Sequence, residues 1–263
     1  MKILFIGDVF GKQGRRAVSY QLPKWKNEYE PDCIIANVEN ATHGAGISKE
    51  HAHELKQLGI HIMTGGNHSI ETKGALDALV DPTLPIIRPA NAPQLIPGKG
   101  IITIALENEI FVTAINILGQ FGMKPIFDSP FDAVERLLAM PETKNSFVII
   151  DWHAEATSEK VAMGYFLDGR VTAVLGTHTH IPTRDEQILP RGTAFITDAG
   201  MTGPKNSVIG NQIKTSIERF ATHIPIKIEI EESGPAIINA VLIEADIKTH
   251  LATSIKHIQS VVE

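Results

Sequence analysis

Five short stretches carry the residues of this chain that could act together on a substrate. They are "GD" with Asp8, "VEN" with Glu39 and Asn40, "GGNH" with Asn67 and His68, "DWH" with Asp151 and His153, and "GTHTH" with His178 and His180. Carboxylates and amide oxygens are hard ligands, imidazole is borderline, and no thiolate is offered. On an extended segment residues i and i+2 point to the same side, so "HTH" can address two neighbouring ions. A glutamate or aspartate can bridge two cations with one oxygen to each. Two metal ions about 3.5–4 Å apart form the clamp that hydrolyses phosphate esters, activating a water and stabilising charge on the phosphoryl oxygens. Together these residues point to a dinuclear centre and to phosphoester chemistry. Singly, each has a plainer reading. Asp8 suits a turn or a helix cap, Glu39–Asn40 the start of a loop, and Gly65–Gly66 a sharp exit from a strand.

The elements that must position these residues follow from the apolar runs. "KILFIG" (2–7), "CIIANV" (33–38), "IHIMT" (60–64), "SFVIID" (146–151) and "VTAVLG" (171–176) are continuous rather than alternating, as expected of strands buried on both faces. Helices are expected over 13–29, kinked or restarted at Pro23, and over 49–58 between a Ser48 cap and Gly59. Two more are expected over 71–80 and 131–140, the latter opened by Ser129 and Pro130. Strand–helix–strand alternation predicts parallel pairing with right-handed crossovers. The carboxyl ends of parallel strands lie along one edge, where open α/β sheets bind ligands, so the five polar strand ends would converge there. Residues 101–117 and 223–246 read instead as hairpins, the first around "ENE" and the second with a turn at Ser233–Pro235. The expected fold is α/β, with two packed mixed β-sheets and helices outside, in a single domain spanning 1–263.

Composition narrows the function. At 43% apolar and 21% charged residues the chain is an ordinary globular sequence. A net charge of −6 argues against binding long DNA, which needs a basic face. It leaves small phosphate esters open, since a bound cation reverses the local field. No run reaches membrane-span length, and Gly7 and Asp8 interrupt the N-terminal apolar stretch, so it reads as a strand rather than a signal peptide. The lone Cys33 fits a small buried hydrophobe and a reducing cytoplasm. His51 and His53 share no helix face, His43 lies in a glycine-flanked surface loop, and His61, His223, His250 and His257 have no partner at ligand spacing. Asp151 suits either a partner for an imidazole N–H or a helix cap.

At "GD", "GGNH" and "GTHTH" the sequence resembles the calcineurin-like metallophosphoesterases, whose blocks run D-x-H, G-D, G-N-H-[E/D], H and G-H-x-H across strand ends. Two departures mark a subfamily. Phe10 in "DVF" stands where the usual histidine ligand would be, and Glu39 replaces the usual bridging aspartate, with Asn40 available to replace the missing histidine. With "GDVFGKQGRRAV", "NVENATHGAGI" and "DAGMTGP", the chain is similar to the YmdB-type subfamily from Met1 to about residue 250. The resemblance implies a four-layer α/β/β/α sandwich with two divalent or trivalent metal ions, iron foremost and manganese or zinc as alternatives. One ion would take Asp8, Glu39, Asn40 and His180, and the other Glu39, Asn67, His153 and His178, with Glu39 bridging. His68 would face the phosphate as the catalytic group, donating to a phosphoryl oxygen or protonating the leaving alkoxide. Ser69 stands where the family has its acid, and Glu71 is assigned only a helix-start role. The implied substrates are small phosphodiesters such as 2′,3′-cyclic nucleotides, with RNA ends as further targets; homo-oligomers are open. The alternatives are a phosphomonoesterase or protein phosphatase on the same centre, and a metal-holding regulator whose hydrolysis is incidental.

Overall fold

The computed structural model describes every residue, Met1–Glu263. The first half of the chain runs β1 (Lys2–Ile6), α1 (Gly11–Tyr29), β2 (Cys33–Asn37), α2 (Lys49–Gln57), β3 (Ile62–Thr64), α3 (Lys73–Leu79), β4 (Ile101–Ala105), β5 (Phe111–Leu118) and α4 (Pro130–Leu138). It continues with β6 (Phe147–His153), α5 (Thr157–Leu167), β7 (Ala173–Thr177), β8 (Gln187–Ile188), β9 (Ala194–Ile196), β10 (Gly203–Pro204), α6 (Ile213–Thr222), β11 (Ala236–Ala245) and β12 (Ala252–Val262). One sheet is ordered β10-β11-β1-β2-β3, with β12 also on β11, and the other β4-β5-β6-β7-β9-β8. β1, β2 and β3 are parallel, as are β5, β6, β7 and β9, while the hairpin partners run antiparallel.

The period of two sorts each central strand between two cores. Ile3 and Phe5 of β1, Cys33 and Ile35 of β2, Phe147 and Ile149 of β6, and Ala173 and Leu175 of β7 fill the layer between the sheets. Leu4, Ile6, Ile34 and Ala36 face outward onto Ala17, Leu22 and Trp25 of α1 and Leu55 of α2. Val148, Ile150 and Trp152 face outward on the other side, against Val134 of α4 and Met163 and Leu167 of α5. The layers are thus helix, sheet, sheet, helix, as expected.

The capping signals hold. The Ser48 side chain accepts from the His51 N–H and the Ser129 side chain from the Asp132 N–H. Gly59 takes the left-handed conformation (φ +96°) just after α2. Three expectations need correcting. α1 begins at Gly11 and runs through Pro23 without restarting. Pro23 and Ser19, one turn earlier, both lie on the exposed side, where water can satisfy the carbonyl that Pro23 leaves unbonded. The hairpin placed in 223–246 is not formed. Only Ile230 of its first half makes a bridge, to Asn211, while β11 pairs along its length with β12. Last, α5 and α6 have no counterpart among the helices expected from the sequence. Buried Glu159, Lys160 and Gly164 lie among the apolar residues of α5, so no clean apolar stripe announces it.

Candidate metal centre

Along the layer between the sheets, side chains change from apolar to polar as the strands reach their carboxyl ends. Ile35 gives way to Asn37 in β2, Ile62 to Thr64 in β3, Leu175 to Thr177 in β7, and Ile149 to Asp151 and then His153 in β6. Asp8, Glu39, Asn40 and Asn67 follow directly on β1, β2 and β3, and His178 and His180 on β7. All these are buried except His178, whose side chain is 22% exposed.

The ligand atoms gather in two groups that share Glu39. Those of Glu39, His153 and His178 lie within 4.8 Å of one another, and so do those of Asp8, Glu39 and His180. His153 Nε2 is 3.2 Å from Glu39 Oε1, 2.9 Å from Asn67 Oδ1 and 3.1 Å from His178 Nδ1. Asn40 Nδ2 is 2.9 Å from Glu39 Oε1 and 3.2 Å from His180 Nε2. Turning that amide over would put its oxygen on the same spot. The structure therefore brings together all seven residues named from the sequence as metal ligands.

Each imidazole is held from behind. His153 Nδ1 meets Thr177 Oγ1 at 2.9 Å, and that hydroxyl donates to Asp151 Oδ1 at 2.6 Å. Asp151 Oδ2 accepts from Asn37 Nδ2 at 2.8 Å and from the Thr64 hydroxyl, and Asn37 Oδ1 accepts from the Glu39 N–H at 3.1 Å. Asp151 thus serves an imidazole N–H, through Thr177 rather than directly. His180 Nδ1 donates to the Ile209 carbonyl at 2.9 Å, and the Phe10 ring meets His180 edge-on at 5.7 Å. Phe10, which stands where the resemblance expects a histidine, thus packs against the candidate ligand His180. His178 and His180 both sit at positive φ (+97° and +68°), so they are not on an extended segment. Their separation comes from a turn, which sends one ring to each group.

Gly66 is needed for room rather than for turning. Its φ is −174°, open to any residue, but a Cβ there would fall on Glu39 Oε2 and His153 Nε2. His68 begins the mouth. Its N–H donates to Glu39 Oε2 at 3.1 Å, while its ring, 32% exposed, holds Glu71 Oε2 at 2.7 Å through Nδ1. Glu71 is thus a partner of His68, not merely the entry to a helix, since α3 starts only at Lys73.

The electrostatics show what the centre is suited to hold. Burial raises the Asp8 carboxyl well above the usual range against the pull of His153, and Asp198, Glu39 and Asp151 add to the rise. Burial likewise raises Asp151. Burial would depress His153, yet Glu39, then Asp8 and Asp151, hold it up at about 9. Burial would raise Glu39, but His153 and the His68 N–H hold it below the usual range. Burial, then the charge on His153, takes His178 down to about 3. Asp8 Oδ1 has no hydrogen-bond partner among the protein's own groups. An unpartnered buried carboxylate oxygen, two other acids and three imidazoles fit a cation, which would offset the buried negative charge.

The chain matches the family described as YmdB-like protein over residues 4–258. It belongs to that family. Among YmdB-like relatives, the 2′,3′-cyclic-nucleotide 2′-phosphodiesterase of Bacillus subtilis (strain 168) is 43% identical over 258 residues, covering 98% of this chain and 96% of the relative. Two solved structures align over all of this chain. A hypothetical protein of Thermus thermophilus is 37% identical with a TM-score of 0.91, covering 100% of that chain. A novel phosphatase of Mycoplasma pneumoniae is 34% identical with a TM-score of 0.92, covering 94% of that chain. No helix is long and apolar enough to cross a membrane.

Several residues of the YmdB-like site lie outside the sequence reading: Asn37, Thr177, Lys160, Asp198, Glu155 and the Ile209 carbonyl. Three are strand or helix positions and three lie in loops, and only the fold places them behind the candidate ligands. Asn37 carries a signal, as a polar residue two before Glu39 in an otherwise apolar strand, and Asp198 opens the "DAGMTGP" block quoted above.

Proposed function

We propose that this YmdB-like chain, acting as one domain, is a dinuclear-metal phosphodiesterase for small diesters such as 2′,3′-cyclic nucleotides, free or at RNA ends. The carrying observation is that two groups of ligand atoms share the single carboxylate of Glu39, as a bridged pair of cations requires. Asp8, Asn40 and His180 would hold one ion, and Asn67, His153 and His178 the other. The oxygen and imidazole donor set suits iron, manganese or zinc. When bound, such a pair polarises the phosphoryl oxygens and activates a water. The name of the Bacillus subtilis relative supports the 2′,3′-cyclic class and, within it, cleavage of the 2′ ester.

The chain's own residues do the rest. Glu39, braced by the His68 N–H and by Asn40, stays ionised between the two groups. Asp151, through Thr177, fixes the His153 proton at Nδ1 and leaves Nε2 free toward the site. Glu71 pairs with Nδ1 of His68, and in the imidazolium, where both ring nitrogens carry protons, Nε2–H can donate to a phosphoryl oxygen or to the departing alkoxide. The products are a ring-opened monoester and a free hydroxyl.

Hydrolysis of 2′,3′-cyclic AMP, bis-p-nitrophenyl phosphate and p-nitrophenyl phosphate with Mn²⁺ or Fe²⁺ tests the reading. Both diesters should be cleaved, and the His68→Ala protein should keep its metal while turnover falls about 10²–10⁴-fold. Activity on the monoester alone would replace the diesterase reading with a phosphomonoesterase. A fully active His68→Ala protein would remove the histidine from the chemistry.

A further inference from the structure

The three site imidazoles are not supported alike. His153 is braced by the buried Thr177–Asp151 relay and His180 by a backbone carbonyl. His178 presents Nδ1 to the centre, 3.1 Å from His153 Nε2, and its outward Nε2 stands 3.2 Å from Glu155 Oε2. The Glu155 side chain is 53% exposed, so this brace is the one of the three that reaches the surface. His178 also holds the least favourable backbone of the three, at φ +97°.

Glu155 has a second neighbour. The loop that leaves β5 is pinned at its base, where the Gly119 N–H donates to the His153 carbonyl at 2.9 Å and buried Glu159 accepts from the Gln120 N–H at 3.0 Å. At its tip Gly122, at φ +78°, lies against Glu155 so closely that a Cβ would come within 2.9 Å of Glu155 Cγ. Next to it Phe121 is 69% exposed. One side chain therefore reaches a candidate ligand with its carboxylate and lies beside an exposed loop with its Cβ and Cγ.

We propose that Glu155 is a positioning residue that orients His178 for the second cation and couples that ligand to the Gly119–Gly122 loop. Accepting from Nε2–H fixes the tautomer that leaves Nδ1 free, and the loop at Gly122 limits where the Glu155 stem can stand. A ligand pressing on the loop would then alter the hold on the cation, and cation binding would order the loop. The inference rests on the dinuclear reading above.

Calorimetric titration of the metal-stripped full chain with Mn²⁺ alone, without substrate, tests it. Two ions should bind to wild type. Glu155→Ala should weaken one of them by about 10–100-fold, the usual cost of losing such a partner. Glu155→Gln, which keeps an acceptor oxygen, should recover much of the loss, as lost charge alone would not. Gly122→Ala should weaken the same ion in wild type and add little in the Glu155→Ala background. Wild-type affinity in both Glu155 variants, with unchanged circular dichroism, overturns the proposal and leaves the dinuclear reading standing. A full Gly122→Ala effect without Glu155 overturns the coupling. A wild-type chain that binds fewer than two ions overturns the dinuclear reading and this proposal with it.

Discussion

Glu39 carries more of the site than any other residue. It is buried and charged, lies 3.2 Å from His153, accepts the His68 N–H, and belongs to both groups of ligand atoms. A neutral amide of the same shape would keep the packing but bridge cations poorly. Glu39→Gln is therefore expected to bind fewer than two metal equivalents by elemental analysis and to lose at least about tenfold in turnover. Two full equivalents in that variant would contradict the bridging role. Asp8 differs from Glu39 in kind. Its Oδ1 is unpartnered and its carboxyl is raised by burial, so it is the group with most to gain from a cation.

At the level of elements, the loop after β7 needs a clamp, because it must hold two histidines at positive φ. The clamp is Lys160 of α5. Its Nζ donates at 2.7 Å to the Thr177 carbonyl and at 2.7 Å to Asp198 Oδ2, which also accepts from the Thr179 N–H and hydroxyl at 3.1 and 2.7 Å. Both partners are 1% exposed, so removing one leaves a buried charge without compensation. Lys160→Met should destabilise the fold by about 3–5 kcal/mol in urea denaturation, and Lys160→Met with Asp198→Asn by less. Equal losses in both proteins would mean that the charge pair is not the cause. This element marks the boundary of what is legible in the sequence. The five strand ends, the residues that gather at them and the sandwich can be read because buried parallel strands are continuous apolar runs with polar stops. α5 cannot, since its inward face carries Glu159 and Lys160 for neighbours that only tertiary structure supplies. The β11–β12 hairpin is hidden for a related reason. β12 pairs on one side only, much of its surface is solvated, and its register slips at the start, where Glu244 pairs with Ser254 but Ala245 with Ala252. "IKIEIE" has the alternation but no strand beside it, which shows that pattern without a partner does not make a sheet.

For the whole molecule, the centre is the polar end of the layer that joins the two sheets. Residues after β1, β2 and β3 meet residues at the ends of β6 and β7. A cation held there binds both sheets in the folded chain and has no such site in the unfolded one, so metal affinity adds to folding stability. At free metal about 100 times Kd the gain is about 2.7 kcal/mol per ion, or about 5 °C in melting temperature for a chain of 263 residues. Cys33 supplies an internal reporter. It lies in β2 within the same layer, is fully buried, and burial, with Asp32 nearby, pushes its thiol up to about 12. A thiol so placed reacts only when the sheets separate. Stripped protein heated with a thiol reagent should therefore label at Cys33 across its melting transition. Added Mn²⁺ should move labelling and melting upward together, by the same interval. Labelling of Cys33 in the cold native protein would show that the layer opens locally. A melting temperature indifferent to metal would show that the cation does not bridge the sheets.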